Sequence, residues 1–153
     1  PAGARRQVVG VSRPEHTELV ARTLLALGTE RAWVVHGAGG LDELSTLGHT
    51  KVSEVRDGTV NTFYVHPADV GISTATIADL AGGSGEENAA MARRLLEGER
   101  GARRDVVLFN AAAALLVAGR ASSLTDGMAR ATESLDRGLA VAALDRMVEV
   151  SRS

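Results

Sequence analysis

The stretch QVVGVSRPEHTELVARTLLALGTERAWVVHGAGG, residues 7–40, decides the fold. Val8, Val9 and Val11 form a short β-branched run that ends at Ser12, the pattern of a buried strand. Ser12 and Glu15 stand at the spacing of a capping box, with Pro14 in the first helical turn, where its missing N–H costs nothing. Leu19, Val20, Thr23, Leu24 and Leu27 then recur with a helical period, and Gly28 is placed to stop the helix. Ala32-Trp33-Val34-Val35 is a second apolar strand. Strand, helix and strand with short links make a βαβ unit, so the strands should pair in parallel through a right-handed crossover.

Working downstream, the second strand runs into His36-Gly37-Ala38-Gly39-Gly40, and Asp42 and Glu43 follow at once. In open parallel sheets ligands gather beyond the carboxyl ends of the strands, which makes this loop the candidate site. Adjacent carboxylates suit Mg2+, a hard cation that takes one or two of them together with substrate phosphates. The same two acids in the first turn of a helix would be favoured by its dipole with no ligand at all. Spacing alone leaves both readings open. His36 reads as a structural histidine, and His16, His49 and His66 lack metal-ligand spacing.

Further along, Val52 to Val55 and Val60 to Val65 flank Arg56-Asp57-Gly58, a hairpin signal, and Pro67 ends the hairpin. The remainder reads as helical. Ser84 and Glu87 after Gly82-Gly83 form a second capping-box pair, for a helix running to about Glu97. A buried core helix is expected from Arg103 to Ala118, its alanine run 111–114 suited to close approach by a neighbour. Two more helices follow, about Leu124 to Arg137 and Leu139 to Val150, broken at Gly138. Asn110 interrupts the apolar stretch and needs a hydrogen-bond partner where buried. Asn88 is expected to be structural, and Gly82-Gly83 to form a turn rather than a phosphate cradle, since no Lys–Ser/Thr pair completes the motif. Arg5, Arg6, Arg103 and Arg104 are expected at the surface.

Composition narrows the function. With a net charge of -2 and no basic run, the chain does not read as a nucleic-acid binder. The absence of cysteine excludes disulfides and thiolate metal sites and suits a cytoplasmic protein. The apolar helix is too short for a membrane span. Hydrophobic residues at 44% argue against disorder, and aromatics at 3% leave the core to aliphatic side chains and alanine.

Four ordered segments carry a family resemblance: PAGARRQVVGV at residues 1–11, VVHGAGGLDELS at 34–45, GGSGEENA at 82–89 and NAAAALLVAG at 110–119. Together they resemble the anthranilate phosphoribosyltransferases. The resemblance implies a homodimer of two-domain subunits, with this chain the C-terminal portion of the larger α/β domain: a parallel-sheet βαβ core, a β-hairpin and a helical C-terminal half. It implies transfer of phosphoribosyl from phosphoribosyl pyrophosphate to anthranilate in tryptophan biosynthesis, with Mg2+ held by Asp42 and Glu43. GGSGEENA carries Ser84 where the family commonly has aspartate, a change that helix capping tolerates.

The family's helical N-terminal domain and its glycine-rich phosphoribosyl-pyrophosphate loop have no counterpart within residues 1–153. That absence, with Pro1 in place of an initiator methionine, leads to the expectation of a partial chain with little turnover of its own. Two other readings stand beside it. One is a non-catalytic binding or assembly domain that keeps the fold. The other is a relative of the pyrimidine nucleoside phosphorylases, which share that fold.

Overall fold

A computed structural model describes residues 3–153, so Pro1 and what was expected of it lie outside the described residues. Strand β1 (Arg6–Gly10), helix α1 (His16–Ala26) and strand β2 (Arg31–Gly37) form the expected βαβ unit, with Val9 opposite Val34 in a parallel pair. Strands β3 (Thr50–Arg56) and β4 (Thr59–Val65) are the expected hairpin. Its turn places Asp57 at φ 51° and Gly58 at φ 75°, the left-handed pair that a two-residue turn with the native strand twist requires.

The hairpin adds to the second strand: β3 runs antiparallel to β2, and the sheet order is β1-β2-β3-β4. The parallel pair therefore ends at β2, and the sheet is mixed.

β2 is buried on both faces, and its alternation divides the core. Ala32 and Val34 face α1, where they pack with Ala21 and Val55. Trp33 and Val35 face the other way, toward Phe109, Ala113 and Val117 of helix α4 (Ala102–Val117). Helix, sheet and helix thus make three layers. Two shorter helices, α2 (Ile77–Leu80) and α3 (Gly85–Leu96), lead into α4. Helices α5 (Leu124–Asp136) and α6 (Leu139–Ser151) follow it, with Gly138 in the left-handed conformation between them. Leu95, Leu108, Ala131 and Leu135 form a helix-only cluster on the outer face of α4. The approach of α5 is close: a Cβ on Gly127 would lie 2.7 Å from the Ala112 carbonyl oxygen. The alanine run has the neighbour its size anticipates.

Two expectations fail. Ser12 and Glu15 do not form a capping box: α1 begins at His16 and no side chain caps it. A turn closes first, with His16 N–H donating to the Arg13 carbonyl, and Thr17 Oγ1 then donates to Pro14 O at 2.9 Å. The helix start is thereby delayed, so Glu15 takes the N-cap position in place of Ser12 and Pro14 lies outside the helix. Arg104 is buried at 5% exposure, because it lies with Leu108 and Ala112 on the face of α4 that α5 covers, and Asp136 at the end of α5 meets it there.

Candidate functional site

Asp42 and Glu43 lie beyond the carboxyl ends of β1 and β2, as expected, but on no helix. A single 3-10 turn at Ala38–Gly40 ends before them, and residues 42–45 run without regular structure. The acids therefore have no helix dipole to explain them.

What holds them is the backbone around them. Gly10 ends β1 and Gly37 ends β2, and the acidic loop lies directly on both. A Cβ on Gly10 would fall 1.5 Å from the Asp42 carbonyl oxygen, and one on Gly37 would fall 2.5 Å from that of Glu43. Only glycine permits that approach.

Past the acids the chain dives inward. Leu44, Ser45 and Thr46 are all fully buried, while Asp42 and Glu43 are exposed. Asn110 of α4 grips Leu44 at both ends: its Oδ1 accepts from Leu44 N–H at 2.9 Å, and its Nδ2 donates to Leu44 O at 2.8 Å. Ser45 N–H donates to Thr50 Oγ1 at 2.9 Å, and Ser45 Oγ donates to Ala38 O at 2.8 Å. Gly37 N–H donates to Leu41 O, and Ala75 N–H donates to Thr46 O. Backbone groups that would otherwise be buried unpaired are thus satisfied, and the loop is fixed on both sides of the two carboxylates.

The electrostatics are one-sided. Among the described residues, neither Asp42 nor Glu43 forms an ion pair. Although Glu43 as a residue is exposed, partial burial of its carboxyl pushes its pKa above the usual 4.5, and the charge on Asp42 adds to the rise. Glu43 stands in the wall of a cleft of about 300 Å³ that it shares with Leu80, Asn88, Met91 and Arg103. Among the described residues no group of three His, Asp or Glu side chains gathers to hold a metal. The site offers two carboxylates and stops there.

The other candidates have structural work. His36 Nδ1 lies 2.9 Å from Val11 O, an arrangement in which Nδ1 carries the proton and donates. Asn88 closes the turn at Gly83, accepting from its N–H at 2.8 Å and donating to its carbonyl at 3.0 Å. Ser84 and Glu87 complete the expected capping box at the start of α3, and Gly82-Gly83 forms the turn that leads into it. Arg5 and Arg6 both pair with Glu30 at the surface. The sequence reading placed Gly37 in the candidate loop but missed Gly10 and Ser45 as parts of the site; a glycine ending a predicted strand was the available signal for Gly10.

The chain matches over residues 1–141 the family model described as "Glycosyl transferase family, a/b domain". It is 52% identical over 153 residues to a protein of Caulobacter vibrioides named anthranilate phosphoribosyltransferase, covering 100% of this chain and 45% of that one. A protein of the same name from Paramagnetospirillum magneticum is 52% identical over 151 residues, 99% of this chain and 44% of the relative. The chain thus spans less than half the length of these curated relatives. The crystal structure of the Thermus thermophilus anthranilate phosphoribosyltransferase aligns at a TM-score of 0.84 and 40% identity, covering 94% of this chain and 42% of that chain. The Saccharomyces cerevisiae enzyme, solved in complex with PRPP and Mg, shares the fold at a TM-score of 0.85 and 24% identity, again over 94% of this chain and 42% of its own.

Proposed function

This chain belongs to the glycosyl transferase family of the a/b-domain type, and from that premise we propose that it forms the metal-holding corner of an anthranilate phosphoribosyltransferase. The observation that carries the reading is the acidic loop, in which two exposed carboxylates with no ion-pair partner among the described residues sit at the ends of β1 and β2. Relatives named for this activity at 52% identity support the transferase over a nucleoside phosphorylase.

The donor set fits Mg2+. Both ligands are hard oxygens on exposed side chains, and two protein carboxylates are what this ion takes when phosphates complete its shell. Asp42 and Glu43 would hold it, and when bound it would neutralise charge developing on departing pyrophosphate. The remaining work belongs to the chain itself. Gly10 and Gly37 set the height of the acidic backbone. Asn110 and Ser45 fix it from behind, so the carboxylates are positioned before ligand arrives. In a reaction through a cationic sugar transition state, such fixed charge and positioning supply most of the rate.

The same proposal places the sugar-diphosphate loop, the anthranilate contacts and the homodimer-forming helical domain on sequence outside residues 1–153. Turnover then depends on a polypeptide that supplies them. Full-rate transfer by residues 1–153 alone would overturn that part.

The direct test is calorimetric titration of phosphoribosyl pyrophosphate with and without Mg2+, on this chain and on Asp42→Asn/Glu43→Gln. Mg2+ should strengthen binding to the parent and lose about tenfold or more of that effect in the variant. Equal responses would favour a non-catalytic domain that merely keeps the fold.

A further inference from the structure

His36 stands one residue before the end of β2, half-buried, with its ring Nδ1 2.9 Å from Val11 O. A carbonyl oxygen only accepts, so Nδ1 carries the proton and donates. Val11 follows the last residue of β1, and it is held twice. Its N–H donates to Val35 O at 3.0 Å, and its carbonyl accepts from the ring of the next residue along β2. A side chain thus clamps the end of β1 to the end of β2, one residue beyond the last ladder pair, Gly10 opposite Val35.

The clamp lies between the two glycines that carry the acidic loop. Gly10 precedes Val11, and a Cβ there would fall 1.5 Å from Asp42 O. Gly37 follows His36, and a Cβ there would fall 2.5 Å from Glu43 O and 2.6 Å from Ser45 Cβ. Contacts this close transmit displacement: a strand end that moves carries the carbonyl resting on it, or opens a gap beneath it. Lys51, opposite His36 across the ladder, donates to Pro14 O at 3.0 Å, but that exposed tie lies three residues further along the chain than Val11.

We propose that His36 is a positioning residue for the acidic loop. Through Val11 it locks the Gly10 cradle under Asp42 to the Gly37 cradle under Glu43, and so fixes the orientation in which the two carboxylates are presented. One N–H aimed at one carbonyl does this, without the imidazole's charge or its second nitrogen. Asparagine can place an N–H near the same point, because its Nδ2 is bonded to Cγ as Nδ1 is. Phenylalanine keeps a ring and loses the donor. The consequence for metal rests on the Mg2+ reading of Asp42 and Glu43; the positioning itself does not.

Amide NMR and Mn2+ titration of this chain, compared with His36→Phe, His36→Asn and Val55→Ala, test it. Val55→Ala is a core truncation toward the far end of β3, and it lowers stability without touching the loop. In His36→Phe the amides of Val11, Asp42 and Glu43 should shift together and exchange faster, while those of α5 stay in place. His36→Asn should return them most of the way. Mn2+, which shares the preference of Mg2+ for oxygen ligands, should broaden residues 41–44 of the parent saturably. His36→Phe should weaken that binding about tenfold, His36→Asn about twofold or less, and Val55→Ala not at all. The proposal is overturned if Val11 shifts in His36→Phe while Asp42 and Glu43 do not. It is equally overturned if His36→Asn behaves like His36→Phe, or if Val55→Ala moves the acidic loop as His36→Phe does. If Mn2+ leaves residues 41–44 of the parent unchanged, the metal reading fails and the amide shifts decide the role of His36 by themselves. Should His36→Phe fail to fold, His36→Ala takes its place.

Discussion

The acidic loop and the start of α4 face the solvent with opposite charge, and the fold prepares them in opposite ways. At residues 42–46 the backbone is fixed, by two glycine cradles, a bidentate asparagine and a buried serine, while the charged side chains are left free. At residues 101–104 a charged side chain is buried and held, while the backbone amides are left open. A loop that must present carboxylates needs a rigid main chain, because its own peptide groups do not bind the ligand. A helix start that presents peptide groups needs only the helix and something to keep it uncapped. The comparison teaches that an unneutralised charge is built either by pinning the chain beneath it or by withholding a cap.

If that contrast is right, damage to the loop's support should leave the α4 start untouched. The largest effect is expected from Gly10→Ala. Its new Cβ would lie 1.5 Å from Asp42 O, so the loop must shift. Overpacking of this kind costs about 1–3 kcal/mol, and the denaturant midpoint should fall accordingly. Amide shifts should move across residues 41–46 and stay in place at 102–105. Movement at both ends together would break the separation of the two regions.

Asn110→Leu should act next. It keeps the branched shape but leaves the Leu44 N–H and C=O without their partner. The expected loss is about 1–3 kcal/mol, at the lower end where water can reach the half-buried position. Hydrogen exchange at the Leu44 amide should accelerate more than at neighbouring core amides. An unchanged Leu44 rate would mean that the glycine cradles alone hold the loop.

The smallest effect concerns the charge itself. The folded Glu43 pKa is raised above 4.5, so its contribution to stability is fully present below that value and is lost as pH rises through the folded value. At pH 7 Glu43→Gln should therefore be slightly more stable than the parent, by about 0.5 kcal/mol or less once solvent screening is allowed for. That advantage should vanish at acid pH, where the parent carboxyl is protonated. Unfolding curves at both pH values read it out. A variant less stable than the parent at neutral pH would show that Glu43 has a stabilising partner.

Much of this molecule was legible along the chain because its signals are local. The βαβ unit follows from a β-branched run, a helical period ended by Gly28, and a second apolar run. The hairpin follows from Asp57-Gly58, which twists the chain correctly with no help from elsewhere. Capping at Ser84 and Glu87 spans three residues and was equally readable. The same logic failed at Ser12 and Glu15, where a turn at Arg13–His16 delays the helix to His16, and the spacing does not reveal that delay.

By itself, then, the sequence determined the elements and the position of Asp42 and Glu43 after a strand, since each depends on residues within a few places of one another, and the family resemblance, which rests on the order of four short segments. Tertiary structure alone decided that the hairpin extends β2 antiparallel, that Asn110 reaches back 66 residues to grip Leu44, and that Gly10 lies under Asp42. It also decided that Arg104 is buried against Asp136 instead of solvated. Those outcomes depend on which faces meet when the layers close, and a face acquires its partner only after the distant segment has packed against it.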